Sequence, residues 1–341
     1  MQPRTADPLL GEASAPLDYT GTTIADVSDF VVSCTMMEDR QPFFSIIVPT
    51  SDRPRQLAIC LQFLACLNYP RDHFEVIVVD DGSEVPPETV VASFRDKIDV
   101  TLLTQTHAGP AAARNFGAAR AKGRFLAFTD DDCAPTADWL QKLAARFAHA
   151  PDAAIGGRTL NALPDNPYST ASQLLMDYLY SYYNANPNQA RFLASNNLGL
   201  PAERFHAIGG FDAGWLRAAA DDRELCDRWL HNGYRMIYAP EVLVYHAHPL
   251  TFRTFWRQHF NYGRGAFYFH RVRVLRMEPL GFYRRLLHYP FVKVYSRQVL
   301  LLVSLMGLAQ VANAAGFFWE SVFGSVDAYY DQCRLEKRSP P

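Results

Sequence analysis

The stretch Arg124-Phe-Leu-Ala-Phe-Thr-Asp-Asp-Asp132 joins an apolar run to three consecutive carboxylates. Side chains alternate along extended backbone, so Asp130 and Asp132 share a direction while Asp131 points elsewhere. Neighbouring carboxylates repel one another. A hard divalent ion such as Mg²⁺ or Mn²⁺ relieves that repulsion and keeps positions open for substrate phosphates. The triplet therefore reads as a metal site at a strand end. A solvated acidic turn that caps the next helix accounts for the same residues.

Upstream, Phe44-Ser-Ile-Ile-Val48 is a buried-strand run, and Phe74-Glu-Val-Ile-Val-Val79 is a second, stopped by Asp80-Asp81-Gly82-Ser83. A third strand is expected over Val100–Leu103. Between the first two, Asp52 can cap a helix with Pro54 in its first turn, and Leu57, Leu61, Leu64 and Leu67 recur at helical spacing. Further helices are expected over about Glu88 to Lys97 and Ala111 to Lys122. This alternation predicts an α/β fold, a mostly parallel, Rossmann-like sheet flanked by helices. Ligands of such sheets bind outside the carboxyl ends of the strands. Asp80-Asp81 and Asp130–Asp132 both fall on that rim, so each cluster strengthens the reading of the other.

Beyond Ala150 the alternation loosens. Helices are expected over Tyr168 to Tyr183 and Asp222 to His231, the latter closed by Gly233. Arg235–Tyr238 and Val242–Tyr245 read as short strands, and Thr251 to His270 is aromatic and basic. Val299 to Trp319 carries no charge and matches the roughly 20 residues of a bilayer span, although Gln310 and Asn313 interrupt it. Arg271, Arg273, Arg276, Arg284, Arg285, Lys293 and Arg297 precede it and suit an anionic membrane face. A buried core or oligomer-interface helix is the competing reading.

The chain has 341 residues, 49% hydrophobic, with a net charge of -2. That length supports one large or two modest domains, and the charge gives no support to nucleic-acid binding. Cys34, Cys60, Cys66, Cys133, Cys226 and Cys333 show no C-x-x-C spacing, which indicates neither zinc nor a disulfide framework and fits reduced thiols in the cytosol. Residues 1–40 lack the basic start and apolar core of a secretory signal; within them Asp29–Val32 could form a short edge strand. No Gly-x-Gly-x-x-Gly follows the first strand and no Walker A lysine loop occurs, which disfavours a dinucleotide oxidoreductase and an NTPase.

Taken in order, the motifs resemble the family 2 glycosyltransferases. Ser45-Ile-Ile-Val-Pro-Thr50 is similar to the family's opening strand and nucleotide loop, and Val76-Ile-Val-Val-Asp-Asp-Gly-Ser83 to its second strand with an acidic nucleotide contact. Gly109-Pro-Ala-Ala-Ala-Arg-Asn-Phe-Gly117 resembles the segment whose Arg and Asn lie by the donor, and Phe128-Thr-Asp-Asp-Asp132 stands where the family has D-x-D. Asn196-Asn197 followed by Gly209-Gly210-Phe211-Asp212 resembles the acceptor-side segment. Asp221-Asp222-Arg-Glu-Leu-Cys-Asp-Arg-Trp229 resembles the Glu-Asp motif, with Asp in place of the first acid. His246-Ala-His248 resembles a late metal-completing histidine. The likeness covers about Phe43 to His270.

The resemblance implies a GT-A type fold with a C-terminal apolar helical tail. It also implies metal-dependent, inverting transfer of a sugar from a nucleotide-sugar donor, by default a UDP-sugar, to a hydroxyl on a glycan or lipid-linked acceptor. The divalent metal, Mg²⁺ or Mn²⁺, would be held by Asp130, Asp132 and His246, with His248 in reserve. Pro49, Thr50, Asp80, Asp81, Arg114, Asn115, Asp130 and Asp131 would bind the donor. Asn196, Asn197 and Gly210 would face the acceptor. Asp222 would be the general base, with Asp221 as the alternative. Asp-Gly turn chemistry at Asp81, helix capping at Asp222 and an ordinary ion pair at Arg114 compete with these roles. The expected organisation is an extension over 1–40, a transferase domain over 41–270 divided into a nucleotide-sugar half (41–150) and an acceptor half (151–270), and a basic and apolar helical region over 271–341. Location at the cytoplasmic membrane face is expected, and nucleic-acid binding is not. A non-catalytic sugar-nucleotide scaffold and a processive polysaccharide synthase are the alternatives; Arg257-Gln258-His259-Phe260 lacks the Arg-Trp of the synthases' Gln-x-x-Arg-Trp.

Overall fold

The computed structural model describes residues 41–214, 221–272, 278–294 and 297–323. The expected strand at Asp29–Val32 lies outside the described residues, as do Arg273, Arg276, Cys34 and Cys333. The described strands are β1 (Phe44–Thr50), β2 (Phe74–Asp81), β3 (Val100–Gln105), β4 (Phe125–Phe128), β5 (Cys133–Pro135), β6 (Ala154–Asn161), β7 (Leu198–Pro201) and β8 (Met236–His246). The α-helices are α1 (Pro54–Ala65), α2 (Glu88–Ala92), α3 (Pro110–Ala118), α4 (Trp139–His149), α5 (Pro167–Tyr183), α6 (Ala202–Ala207), α7 (Asp221–His231), α8 (Phe252–Val272), α9 (Leu280–Lys293) and α10 (Val299–Phe323).

All eight strands form one sheet in the order β3-β2-β1-β4-β7-β6-β8-β5. β1 pairs in parallel with β2 and β4, and β2 with β3. β7 runs antiparallel to β4 and β6, and β5 antiparallel to β8. The chain thus leaves β1 toward β2 and β3, then returns to its other side through β4. A crevice opens at such a reversal, outside the carboxyl ends of the strands, and here the acidic rim borders it.

The period-two pattern of the central strands feeds two cores. Ile46, Val48, Val76 and Val78 pack with Leu57, Leu61 and Leu64 of α1 and with Trp139 and Leu143 of α4. Ile47, Ile77 and Val79 face the other side, with Ala113 of α3 and Leu225 and Trp229 of α7. Burying a side chain of this size contributes about 1.5–3 kcal/mol, and the polar residues buried here, Ser45 of β1 and Glu75 of β2, bond to each other at 2.7 Å.

A third layer lies apart from the sheet. Leu174, Leu175 and Tyr178 of α5 pack with Phe255 of α8, Phe282 and Leu286 of α9, and Leu302, Leu305, Met306 and Ala309 of α10. Two glycines bring α8 and α10 into backbone contact. A Cβ on Gly263 would stand 1.9 Å from the Asn313 carbonyl oxygen, and one on Gly316 the same distance from that of Phe260. Arg264 pairs with Glu320 across this seam. α10 is long and apolar enough to cross a membrane by length and composition, yet one of its faces is committed to the domain.

Several expectations need correction. The acidic triplet is a turn after β4, not extended backbone, and the Cys133 amide closes it on the Asp130 carbonyl at 3.1 Å. Asp52 does not cap α1. It adopts φ 54°, and its Oδ1 accepts from the Glu84 amide at 2.8 Å, tying the loop after β1 to the loop after β2. Only Glu88–Ala92 of the expected second helix is α-helical; from Ala92 on, several amides reach back three residues rather than four. α3 starts at Pro110 and ends at Ala118, short of Lys122. The two expected short strands near Tyr238 and Val244 are one, β8. It crosses Pro240, which cannot donate to a ladder, at a register break where Gly157 pairs with Ala239 but Arg158 with Leu243.

Candidate active site

The ends of β1, β2 and β4 bring the expected donor-side residues together. Pro49 is buried in β1 opposite Val79. Thr50, one residue on, donates from Oγ1 to Asp131 Oδ2 at 2.7 Å. Asp131 is thus turned inward, and burial raises it to about 6 against the pull of Arg53 and Thr50. Asp80 and Asp81 differ. Asp81 is spent within the fold: Oδ1 accepts from Gln105 Nε2 and the Ala108 amide, both at 2.8 Å, and Oδ2 accepts from the Gly109 amide at 2.9 Å. It therefore ties β2 to the start of α3. Asp80 Oδ1 accepts from Ser83, but its buried Oδ2 has no partner among the described residues. Asp80 is the member of the pair with an acceptor to spare.

Asp132 occupies the most crowded position. Its carboxylate lies 3.1 Å from His246 Nε2, 3.4 Å from His248 Nδ1 and 3.2 Å from Arg53. Burial alone would raise its pKa, but the two histidines hold it well below the carboxylate range, and Asp132 in turn holds His246 above its ordinary value. β5 and β8 cause this meeting, because Cys133 pairs with His246. Ligand atoms of Asp132, His246 and His248 lie within 4.8 Å of one another, as do those of Asp130, Asp132 and Cys133. Two carboxylates and one or two imidazoles fit a divalent first-row ion such as Mn²⁺ by donor type. Burial pushes the Cys133 thiol well up, so it stays protonated and is a poor ligand. His248 stands beside His246 at this carboxylate, and its Nε2 reaches Gln258 Oε1 at 2.9 Å.

Arg114 links this rim to α7. Its guanidinium donates to Asp130 at 2.7 Å and to Asp221 at 3.1 Å, and it is nearly fully buried. Asp222, the next residue, is held differently. Its Oδ1 is sealed from solvent without a partner among the described residues. Burial first, and Asp221 next, push it up to about 7 against Arg114 and hydrogen bonds from Ser195. A carboxyl in that range suits a general base at neutral pH. Asp130, Arg114, Asp221 and Asp222 stand at one end of a cavity of about 690 Å³ that continues between α5, α8, α9 and α10.

The acceptor-side segment is mostly structural. Asn197 is fully buried: Oδ1 accepts from Trp139 Nε1 at 2.9 Å, and Nδ2 donates to the Arg158 and Val242 carbonyls. Asn196 Oδ1 accepts from Thr159. Asn115 makes two bonds with the Phe211 backbone, at 2.7 and 2.8 Å. Gly210, at φ 70°, leaves the room this clasp needs, since a Cβ there would stand 2.5 Å from Asn115 Oδ1. Ser195, rather than Asn196 or Asn197, lines the cavity. Sequence reading also missed Arg53, the partner of Asp131 and Asp132, and Tyr262, which lines the cavity and accepts from Gln258 Nε2 at 3.1 Å. No local pattern marks them, because their partners lie 78 or more residues away or belong to the third layer.

This geometry agrees with comparisons to known proteins. The chain carries a family 2 glycosyltransferase domain: residues 45–211 match the family described as Glycosyl transferase family 2. It is 25% identical over 241 residues to glycosyltransferase AglE of Haloferax volcanii, covering 67% of this chain and 74% of that protein. It is 30% identical over 203 residues to pre-mycofactocin glycosyltransferase of Mycobacterium tuberculosis, covering 56% of this chain and 41% of that one. The chain thus spans about three quarters of the first relative and under half of the second. In fold it resembles the mannosyltransferase PcManGT from Pyrobaculum calidifontis, solved with GDP-Man and Mn²⁺. The TM-score is 0.56 at 19% identity, over 92% of this chain and 87% of that one.

Proposed function

We propose that this glycosyltransferase moves a sugar from a nucleotide-sugar donor to an acceptor hydroxyl with inversion, assisted by a divalent metal and using Asp222 as the base. The carrying observation is the pairing of opposites across Arg114. On one side lies a pinned, acidic rim; on the other is a carboxyl held near neutrality at the head of a cavity. Asp80, with its free Oδ2, would accept from the nucleotide's base or ribose. Asp130, Asp132 and His246, with His248 in reach of the same carboxylate, would hold the metal. When bound, that ion neutralises the diphosphate of the donor. The transfer itself is a single displacement. The acceptor oxygen bonds to the anomeric carbon, the bond from that carbon to the diphosphate oxygen breaks, and the nucleoside diphosphate leaves with the electron pair. The acceptor's proton passes to Asp222. Arg114 donates to Asp221 and so occupies it, leaving Asp222 as the carboxylate available for that proton. The exposed apolar face of α10, beside Arg284, Arg285, Lys293 and Arg297, supports peripheral membrane association.

The test is a nucleotide-sugar panel with Mn²⁺ and Mg²⁺, scoring release of the nucleoside diphosphate, followed by Asp222→Asn with the best donor. Transfer should fall about a thousandfold in the variant, within the usual share of a general base, while donor affinity by calorimetry stays within about twofold. Near-normal turnover in Asp222→Asn would remove Asp222 from the base role.

A further inference from the structure

We propose that the cavity leading away from Asp222 holds the apolar chain of a lipid acceptor, which enters from the exposed face of α10 with its reacting hydroxyl at Asp222. This rests on the transferase reading above and names its acceptor class. Three observations carry it.

The first is the lining. Past the carboxylates the walls include Leu175 and Leu179 of α5, Phe282 and Leu286 of α9, and Phe317 and Phe318 of α10, while the polar Tyr183, Arg223 and Glu278 in the same lining are engaged with one another. A polyhydroxylated sugar placed against such walls would lose hydrogen bonds to water and regain few. An alkyl chain loses nothing there, and each buried methylene gains about 0.8 kcal/mol, roughly three- to fourfold in affinity.

The second is the entrance. Phe318 lines the cavity and is also 64% exposed, and Val311, Trp319, Val322 and Phe323 of the same helix are exposed too. The Gly263 and Gly316 contacts fix α10 on the domain, so this outer apolar face is a built surface. A chain resident in a membrane could pass from that face into the cavity without crossing water.

The third is a polar group inside the apolar layer. His259 is fully buried, both its ring nitrogens lack partners among the described residues, and Gln310 Nε2 and Asn313 Oδ1, also in the cavity wall, lack them as well. A pure hydrocarbon would leave all of them unsatisfied. An ester, amide or hydroxyl along the lipid would supply both a donor-accepting oxygen and, for an amide or hydroxyl, a proton for Asn313. The occupant is therefore an amphiphile with two polar regions: the acceptor hydroxyl and a linkage farther along.

The experiment uses the full chain and monoacylglycerols as probes, since they carry hydroxyls, an ester and one chain. Binding of hexanoyl-, decanoyl- and dodecanoylglycerol below their aggregation limits is measured by equilibrium dialysis. Nucleoside diphosphate release from the best nucleotide-sugar is measured with each probe and with glycerol. Affinity should rise with chain length, and dodecanoylglycerol should accelerate release at least tenfold over glycerol. Ala266→Trp on α8 and Ala314→Trp on α10 narrow the cavity from different helices, and each should weaken dodecanoylglycerol at least tenfold. Circular dichroism identifies a misfolded variant, and the chain-length series in the unmodified protein does not depend on either variant. Affinity independent of chain length, or a lipid bound equally by both folded variants, overturns the inference whatever the turnover. Chain-dependent binding that the variants block, with no nucleotide-sugar consumed by any preparation, supports the cavity's occupant and overturns the transferase reading instead.

Discussion

The donor rim and the helical layer are built on opposite plans. At the rim three carboxylates are fully engaged and, among the described residues, Asp80 keeps one oxygen free: Asp81 accepts three hydrogen bonds, Asp131 is held by Thr50 and Arg53, and Asp132 sits among two histidines and an arginine. In the cavity between α5, α8, α9 and α10 much of the wall is apolar, Tyr183 pairs with Arg223 and Glu278, and polar atoms of His259, Gln310 and Asn313 have no partner among the described residues. Engaged groups hold geometry and cost little to keep in place, which suits a ligand whose diphosphate must be fixed against a charge cluster. Unpaired groups in an apolar wall wait for a partner of matching polarity. The difference teaches that one chain has built two environments of opposite kind, one that offers charge and one that offers apolar burial, as the two proposed substrates would require.

Arg114 joins the two plans, and removing it should have the largest effect. Arg114→Met keeps the volume but leaves Asp130 and Asp221 without their shared cation. Breaking such a pair should cost about 3 kcal/mol of stability, read from the denaturant midpoint, and transfer should drop with it. A stable, active Arg114→Met would mean that the rim and the cavity do not depend on this bridge. Next, Asp132→Ala attacks the rim alone. It should weaken Mn²⁺ binding by calorimetry about a hundredfold, near 2.7 kcal/mol, and leave lipid-probe binding unchanged; equal damage to both would erase the division between the regions. Gly316→Ala attacks the helical layer alone. Its methyl group meets the Phe260 carbonyl, so about 2 kcal/mol of stability should be lost by overpacking, with metal affinity intact.

The smallest effect separates the two carboxyls beside Arg114. As the proposed base, Asp222 takes the acceptor's proton only when ionised. With its pKa raised to about 7, the transfer rate should fall tenfold per pH unit below that value and level off above it. A rate that stays flat down to pH 5 would shift the base role away from Asp222.

The α/β alternation, the acidic strand ends and the uncharged C-terminal stretch are local patterns, and local patterns are legible in a sequence. Strand periodicity placed Ile46, Ile47, Val76 and Ile77 on β1 and β2, and the acids after β2 and β4 on one rim. The site's detail was less legible. Asp80 and Asp81 are identical letters, and only the approach of α3 makes one a structural tie and leaves the other free. Asn197 read as a candidate acceptor contact because nothing in its neighbourhood announces Trp139, 58 residues away. The triplet's two aspartates converge through a turn rather than the alternation of a strand.

By itself, then, the order of residues determined the parallel part of the sheet from β1 to β4, the rim on which the acids stand and the chemistry they can offer, since these follow from short-range pattern and side-chain type. Tertiary structure alone decided that Asp132 is held ionised and that Asp222 is raised toward neutrality, and it alone opened a cavity along α10. Burial and long-range pairing set a group's protonation and a helix's free face, and neither exists until distant segments meet.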